Sequence, residues 1–182
     1  METLKEAITK LHKQYRIPHI MITSISLPSP GAEPSLSVVG STMTSTATPR
    51  IFGVKIPAID CFFSGTGDMF AALMLVRLRE AVFETEGLPE TDAWVSGDDV
   101  EATHLPLARA TEKVLASMHH VLTNTKEKRD EELKKYYARI QGGGQGNDKR
   151  FHLAKSKAAE VRLIRNLDAL KNPEVKFRAE TV

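Results

Sequence analysis

A glycine-rich turn that opens into an apolar run constrains the fold of this chain more than any other stretch. Residues 64–68 read Ser-Gly-Thr-Gly-Asp, and residues 69–76 are almost all apolar. Glycine lets the backbone take left-handed angles and lets a ligand approach closely. The apolar run predicts a buried helix, whose N-terminus would direct free N–H groups at an anion. Such a turn beside a carboxylate fits phosphoryl transfer to a hydroxyl, with Asp68 as the base.

The same turn also has a purely structural interpretation. An aspartate at the start of a helix can cap backbone N–H groups, and four residues alone do not separate that role from a catalytic one. Cys61, which precedes the turn, is interpreted as a buried apolar thiol rather than as a nucleophile. It is the single cysteine of the sequence, so a disulfide within the chain is excluded.

The longer context of the turn resembles the signature of the pyridoxal kinases, a branch of the ribokinase-like superfamily. Residues 60–72 read Asp-Cys-Phe-Phe-Ser-Gly-Thr-Gly-Asp-Met-Phe-Ala-Ala. Sugar kinases of that superfamily typically carry a shorter version, so the form seen here favours the vitamin B6 branch. Three further segments resemble the family in the expected order: Thr23-Ser24 after a strand, His-His-Val-Leu at 119–122 and Asn-Pro-Glu-Val at 172–175.

This resemblance implies an α/β fold, a ribokinase-like sandwich whose sheet is flanked by helices. It implies an ATP-dependent kinase acting on the 5′-hydroxyl of pyridoxal, pyridoxine and pyridoxamine, with Asp68 as catalytic base and substrate contact. The positions that match the family's ATP contacts are Thr23, Ser24, Phe63, Gly65, Thr66, Gly67, Phe70 and Leu122. Mg²⁺ and a monovalent cation, K⁺ or Na⁺, would accompany ATP, although no residue of this chain is assigned to hold a metal.

The resemblance covers only the C-terminal half of the family's chain. The sequence has 182 residues, enough for one domain, whereas the family is about twice as long. We therefore predict a half-domain over residues 1–182 and leave open whether this chain is active alone. Two alternatives remain: a non-catalytic nucleotide-binding or subunit-interaction fragment, and another ribokinase-like kinase acting on a pyrimidine or a sugar.

Composition and charge limit the classes of molecule that the chain is expected to bind. Apolar residues make up 41% and charged residues 26%, which is typical of globular proteins. The formal net charge of +2 argues against nucleic acid or a membrane surface as a partner. No apolar run reaches the length of a membrane span, and the first residues have no signal-peptide character. We therefore expect a cytoplasmic protein. The family resemblance implies that the full-length protein is a homodimer.

Periodicity elsewhere predicts helices and strands on both sides of the turn. The predicted helices cover residues 3–14, 66–86 and 104–140, and the predicted strands cover 19–23, 36–40 and 50–56. The family resemblance implies a last helix over residues 161–170 and a short terminal strand in the tail to residue 182. The acidic segment 87–102 is predicted to be a solvated insertion, and the glycine-rich segment 141–150 a flexible loop. Asp98, Asp99 and Glu101 lack the defined ligand spacing of a metal loop.

Overall fold

The computed structural model describes residues 2–26, 33–141, 153 and 155–182, and these fall into two compact units. The first, here named the sheet unit, comprises Met1–Ala58, Ala72–Ala116 and Val175–Val182. The second, here named the turn unit, comprises Ile59–Ala71 and Ser117–Glu174. The predicted glycine-rich loop at 141–150 lies outside the described residues, apart from Gln141, which ends a helix.

Four antiparallel strands in the order β1-β2-β3-β4 form the sheet of the sheet unit. Their bounds are His19–Ile25 for β1, Ser35–Met43 for β2, Pro49–Pro57 for β3 and Ala179–Thr181 for β4. β2 and β3 form an antiparallel hairpin in continuous register over their whole length. Their connection covers only residues 44–48, because Ser41 and Thr42 belong to β2 and are buried.

The first helix, α1 (Glu2–Tyr15), packs on this sheet and confirms the helix predicted near the N-terminus. Its Ile8 is completely buried in one cluster with Ile20, Val39 and Ile51, each from a different strand. Burying such a branched aliphatic side chain contributes about 1.5–3 kcal/mol. The apolar face of α1, where Leu4 and Leu11 also pack against this cluster, therefore accounts for how the helix docks on the sheet.

Two histidines add polar links to this packing. Nδ1 of the buried His12 donates to the Ile17 carbonyl at 2.6 Å, and Nε2 lies 2.8 Å from Ser41 Oγ. His19 Nε2 donates to the carbonyl of Ala93 at 2.8 Å. Burial lowers the pKa of both histidines. Folding therefore favours the neutral imidazoles, and stability falls as the pH drops below their ordinary value of 6.5.

Arg50 holds part of the acidic segment against the sheet. Its guanidinium donates at 2.5–3.1 Å to the carbonyls of Met43, Ser96, Gly97 and Val100. The Asp98 carboxylate accepts from the backbone N–H of Ser45 at 2.8 Å and from its hydroxyl at 2.6 Å, which lowers the pKa of Asp98. The acidic side chains of residues 87–102 are exposed, while backbone carbonyls and one carboxylate of this segment also bind the sheet.

Three more α-helices have both of their ends among the described residues: α2 (Thr66–Phe83), α3 (Pro106–Gln141) and α4 (Leu167–Lys171). Residues 155–158 are also helical. α3 confirms the long helix predicted to continue through the charged residues up to 140. α2 ends three residues earlier than predicted, and Gly87 lies beyond it with a φ of +73°. In the turn unit, Asn124 of α3 donates to Asn166 Oδ1 at 2.7 Å and fastens the segment that precedes α4.

The prediction that α2 is buried along residues 69–76 is wrong in one respect. Met69 and Met74 are buried, but Leu75 is 68% exposed and Val76 is 53% exposed. Leu75 and Val76 lie three and four residues after the exposed Ala72, so the three positions share one side of the helix. The described residues cover the opposite side, so the apolar run is buried on one face only.

Candidate active site

The glycine-rich turn adopts the geometry that its sequence predicts. Gly65 has a φ of +81°, a left-handed conformation in which glycine is favoured over any residue with a Cβ. Its carbonyl accepts from the Met69 N–H at 3.0 Å, which closes the first turn of α2. The first N–H groups of a helix have no acceptor within it, so those at Thr66 and Gly67 are available to an external anion.

The backbone angle that favours glycine at Gly65 is absent at Gly67. Its φ is not in the left-handed region, and a Cβ built on it would meet no atom within 4 Å. The residue is also exposed. Neither the backbone conformation nor the packing of the described residues requires glycine here, so the missing side chain leaves room for a ligand.

Asp68 is the third residue of α2, and its side chain is exposed. Within the described part of the chain, its carboxylate forms no hydrogen bond or ion pair. A capping aspartate would accept from a backbone N–H of the first helical turn. The capping interpretation is therefore not supported by the geometry, and the carboxylate faces solvent beside the turn.

The loop that precedes the glycine-rich turn is held in place at the residue where it joins the turn. Ser64 pairs with Glu160 in a parallel bridge within the turn unit, which fixes the residue that leads into Gly65. Cys61 is half-buried, and its thiol donates to the Phe62 carbonyl at 3.4 Å. The expected buried thiol is therefore wrong, because the loop that carries Cys61 runs near the surface and leaves Phe62 83% exposed.

Thr23 and Ser24 lie at the end of β1 in the sheet unit, and both are exposed. The pairing with β2 shifts register between Ile22 and Ile25, so the two residues form an irregularity in the strand. Ser24 has a φ of +60°, an uncommon conformation for a residue with a Cβ that costs about 1–3 kcal/mol. Bulges and such strain often occur beside binding sites. The sequence Thr23-Ser24 alone does not predict the left-handed φ of Ser24.

The three apolar positions predicted beside adenine lie in the turn unit. Phe63 precedes the turn, Phe70 is in the first part of α2, and Leu122 is in α3. All three side chains are half-buried, which leaves part of each surface free to contact a ligand. Their contact with a nucleotide stays a prediction.

Comparisons with known proteins identify relatives of the chain. No protein-family model matches the chain. Two Schizosaccharomyces pombe proteins, each named as a candidate pyridoxal kinase, are 31% identical over 179 residues and 30% identical over 128 residues. The pyridoxal kinase of Sus scrofa is 30% identical over 169 residues. These matches cover 97%, 70% and 88% of the chain. The chain is related to the pyridoxal kinases.

The relationship extends to the fold. A Leishmania donovani pyridoxal kinase solved with ADP superposes over 100% of the chain, with a TM-score of 0.61 and 18% identity. Plasmodium falciparum PdxK, solved with AMP-PNP and PL, also covers 100% of the chain, with a TM-score of 0.56 and 15% identity. This likeness confirms the predicted α/β, ribokinase-like fold of the pyridoxal kinases.

The chain spans less than half the length of the pyridoxal kinases that it matches. It covers 47%, 36% and 39% of the three curated relatives and 45% and 43% of the two solved chains. The resemblance inferred from residues 60–72 is thus confirmed at the level of the family. The individual roles of Asp68 and of the eight ATP positions stay predictions.

Proposed function

We propose that the chain supplies the phosphoryl-transfer part of a pyridoxal kinase. That kinase would move the γ-phosphoryl group of ATP to the 5′-hydroxyl of pyridoxal, and also of pyridoxine and pyridoxamine. The observation that carries the proposal is the match over 97% of the chain to a pyridoxal kinase relative. A second Leishmania donovani structure, which covers 91% of the chain with a TM-score of 0.53, is named as a complex with ADP and pyridoxine and supports the two substrate classes.

In this proposal Asp68 is the general base. Its exposed carboxylate accepts the proton of the 5′-hydroxyl as the hydroxyl oxygen attacks the γ-phosphorus of ATP. The new O–P bond forms while the bond from the γ-phosphorus to the β-phosphate oxygen breaks, so ADP leaves and pyridoxal 5′-phosphate is the product. The backbone N–H groups of Gly65, Thr66 and Gly67 stabilise the charge on the transferring phosphoryl group.

The other predicted positions would bind the nucleotide. Thr23 and Ser24 offer exposed hydroxyls that can donate to phosphate oxygens. Phe63, Phe70 and Leu122 are half-buried apolar side chains that can contact adenine. These assignments rest on the family resemblance, supported by the exposure of each side chain.

A metal site has no support among the described side chains. They contain no group of three or more His, Cys, Asp or Glu residues placed to hold an ion. Mg²⁺ in kinases neutralises phosphate charge and is held mainly by the phosphates, by water and by one or two carboxylates. We propose Mg²⁺ with K⁺ or Na⁺ as companions of ATP, assign them no ligands here and derive no step through them.

The cellular location, the partners and the oligomeric state of the proposed kinase are predictions. Over the described ranges, no helix is both long and apolar enough to cross a bilayer. The small net charge of +2 supports small-molecule substrates over nucleic acid. We propose a cytoplasmic enzyme that forms a homodimer when complete.

A chimeric enzyme tests the proposed substrate. In it, this chain replaces the matching segment of the Schizosaccharomyces pombe relative that is 31% identical, so the rest of the kinase is supplied covalently. We expect pyridoxal to be phosphorylated faster than ribose, adenosine or hydroxymethylpyrimidine when labelled ATP is shared among them. Faster transfer to adenosine or ribose would assign the chain to a different ribokinase-like kinase.

Gly67→Val in the chimera tests the phosphate role of the turn. A branched Cβ would obstruct the approach of phosphate to the backbone, so we expect weaker ATP binding and slower turnover. The melting temperature should change little, because a Cβ at Gly67 meets no neighbouring atom. Calorimetric titration with ATP measures the affinity, and an unchanged dissociation constant would refute the phosphate role.

A further inference from the structure

The sheet unit contains a cavity whose lining residues have no role in the proposed kinase reaction. The cavity measures about 330 Å³, a volume within the range of small-molecule sites. Its lining residues come from three stretches of the sheet unit, 85–91, 96–100 and 104–109. These stretches are the loop after α2, the end of the acidic segment and the start of α3.

The wall formed by residues 96–100 is held against the sheet. Arg50 donates at 2.5–3.1 Å to the carbonyls of three lining residues: Ser96, Gly97 and Val100. The buried Leu88 and Pro106 give the cavity apolar surface. A site formed before its ligand arrives costs less entropy on binding.

A cationic side chain lines this cavity without an acidic partner. Nη2 of Arg109 donates to the Thr85 hydroxyl at 2.8 Å, and that hydroxyl donates to the Ala81 carbonyl at 2.9 Å. Within the described part of the chain, Arg109 forms no ion pair. The residue is the fourth of α3, close to the positive end of the helix dipole. The guanidinium is thus anchored, and its remaining N–H groups are free to bind an anion.

A buried hydroxyl in the cavity wall also lacks a partner. Ser96 lines the cavity and is only 7% exposed. Its Oγ is buried and forms no hydrogen bond with any described residue. Because a buried polar group without a partner is unfavourable, native structures rarely leave one unpaired. The hydroxyl therefore indicates that a polar atom binds at this wall.

We propose that this cavity binds a small organic anion, a molecule with an apolar body and one carboxylate or phosphate group. The Arg109 guanidinium binds the anionic group. Leu88 and Pro106 contact the apolar body, and the Ser96 hydroxyl adds a hydrogen bond. The inference goes beyond the proposed kinase reaction and does not depend on it.

The other ionisable side chains of the cavity do not reverse this preference. His104 is exposed, and its Nδ1 lies 3.7 Å from the Glu101 carboxylate. Glu86 is exposed and forms no ion pair or hydrogen bond with the described residues. Water screens such an unanchored carboxylate, whereas Thr85 holds Arg109 in place. An anion is therefore favoured over a cation.

Fluorescence titration of the purified chain with phenyl phosphate tests the site. Trp94 is the single tryptophan of the sequence and lies two residues before Ser96, so its emission reports on this wall. We expect a saturable change with phenyl phosphate and with benzoate, and none with the cation benzylamine. Arg109→Gln should weaken phenyl phosphate binding at least about tenfold.

Lys113→Gln is the matched control for Arg109→Gln. It removes the same charge from α3 one helical turn later, and Lys113 does not line the cavity. Lys113 Nζ lies 3.7 Å from the exposed Glu84, and exposed ion pairs contribute little to stability. Melting curves followed by circular dichroism should show that both variants fold like the wild type, and the control should bind phenyl phosphate normally.

Each outcome decides the proposal. Binding that Arg109→Gln weakens and Lys113→Gln retains supports it. No response of the wild type to either anion overturns it, as does an equal response to benzylamine. Wild-type affinity in Arg109→Gln or in Ser96→Ala would also overturn it. Loss of the response in Gly67→Val would assign the anion to the glycine-rich turn instead of the cavity.

Discussion

Asp68→Asn is expected to lower kcat of the chimeric kinase by roughly 10²–10⁴-fold, the usual contribution of general acid–base catalysis. Asparagine keeps the size of the side chain and removes its ability to accept the proton of the hydroxyl. ATP affinity should change much less, since the proposed nucleotide contacts are the backbone of the turn. Steady-state kinetics with pyridoxal and ATP, with ATP binding measured by calorimetry, separate the two effects.

Glu84→Gln is the matched control for this substitution. Glu84 is an exposed carboxylate directly after α2, 3.7 Å from Lys113 Nζ, and it has no proposed role in the reaction. Its loss should leave kcat nearly unchanged, because exposed ion pairs contribute little. If Asp68→Asn turned over as fast as Glu84→Gln, the carboxylate of Asp68 would not be the base.

The turn could be predicted from sequence because its conformation is set locally. Gly65 adopts the left-handed angle that a glycine before a helix indicates, and α2 begins directly after it. The two strands of the β2–β3 hairpin are likewise predicted from their apolar and β-branched residues, at 36–40 and 50–56. Local propensity and short-range pattern decide these elements, so one sequence is enough to identify them.

Long-range polar contacts could not be predicted in the same way. Arg50 binds the carbonyls of Ser96 and Gly97, more than 40 residues away, and a single arginine in a strand carries no signal of such a partner. The buried His12 is similar, since its contact with Ser41 depends on how α1 crosses the sheet. The sequence shows which groups can donate, whereas the fold decides what accepts.

The exposure of Leu75 and Val76 was missed for a different reason. Apolar composition predicts that a segment is buried somewhere, but it does not name the surface that buries it. The expectation of a buried helix assumed neighbours on every side of α2. The described residues cover one side, where Met74 and Arg77 lie, and leave the other open.

Alone, the chain is expected not to phosphorylate pyridoxal at a measurable rate. A base acts only on a hydroxyl held within ~2.6–3.2 Å, and correct positioning of two reactants contributes roughly 7–11 kcal/mol. Asp68 is exposed, and no hydrogen bond or ion pair from the described residues contacts its carboxylate. The side chains that would hold the vitamin are expected in the part of the relatives that the chain does not span. Without them the barrier stays close to that of an unpositioned substrate.

The assay compares the purified chain and the chimera at equal concentration with pyridoxal and ATP. Weak ATP binding by the chain alone agrees with the expectation, because the N–H groups of Thr66 and Gly67 belong to the chain itself. Turnover by a monomeric chain at the rate of the chimera would contradict it. In that case residues of this chain would have to hold the hydroxyl beside Asp68, and the part of the relatives that the chain does not span would not be needed for the substrate site.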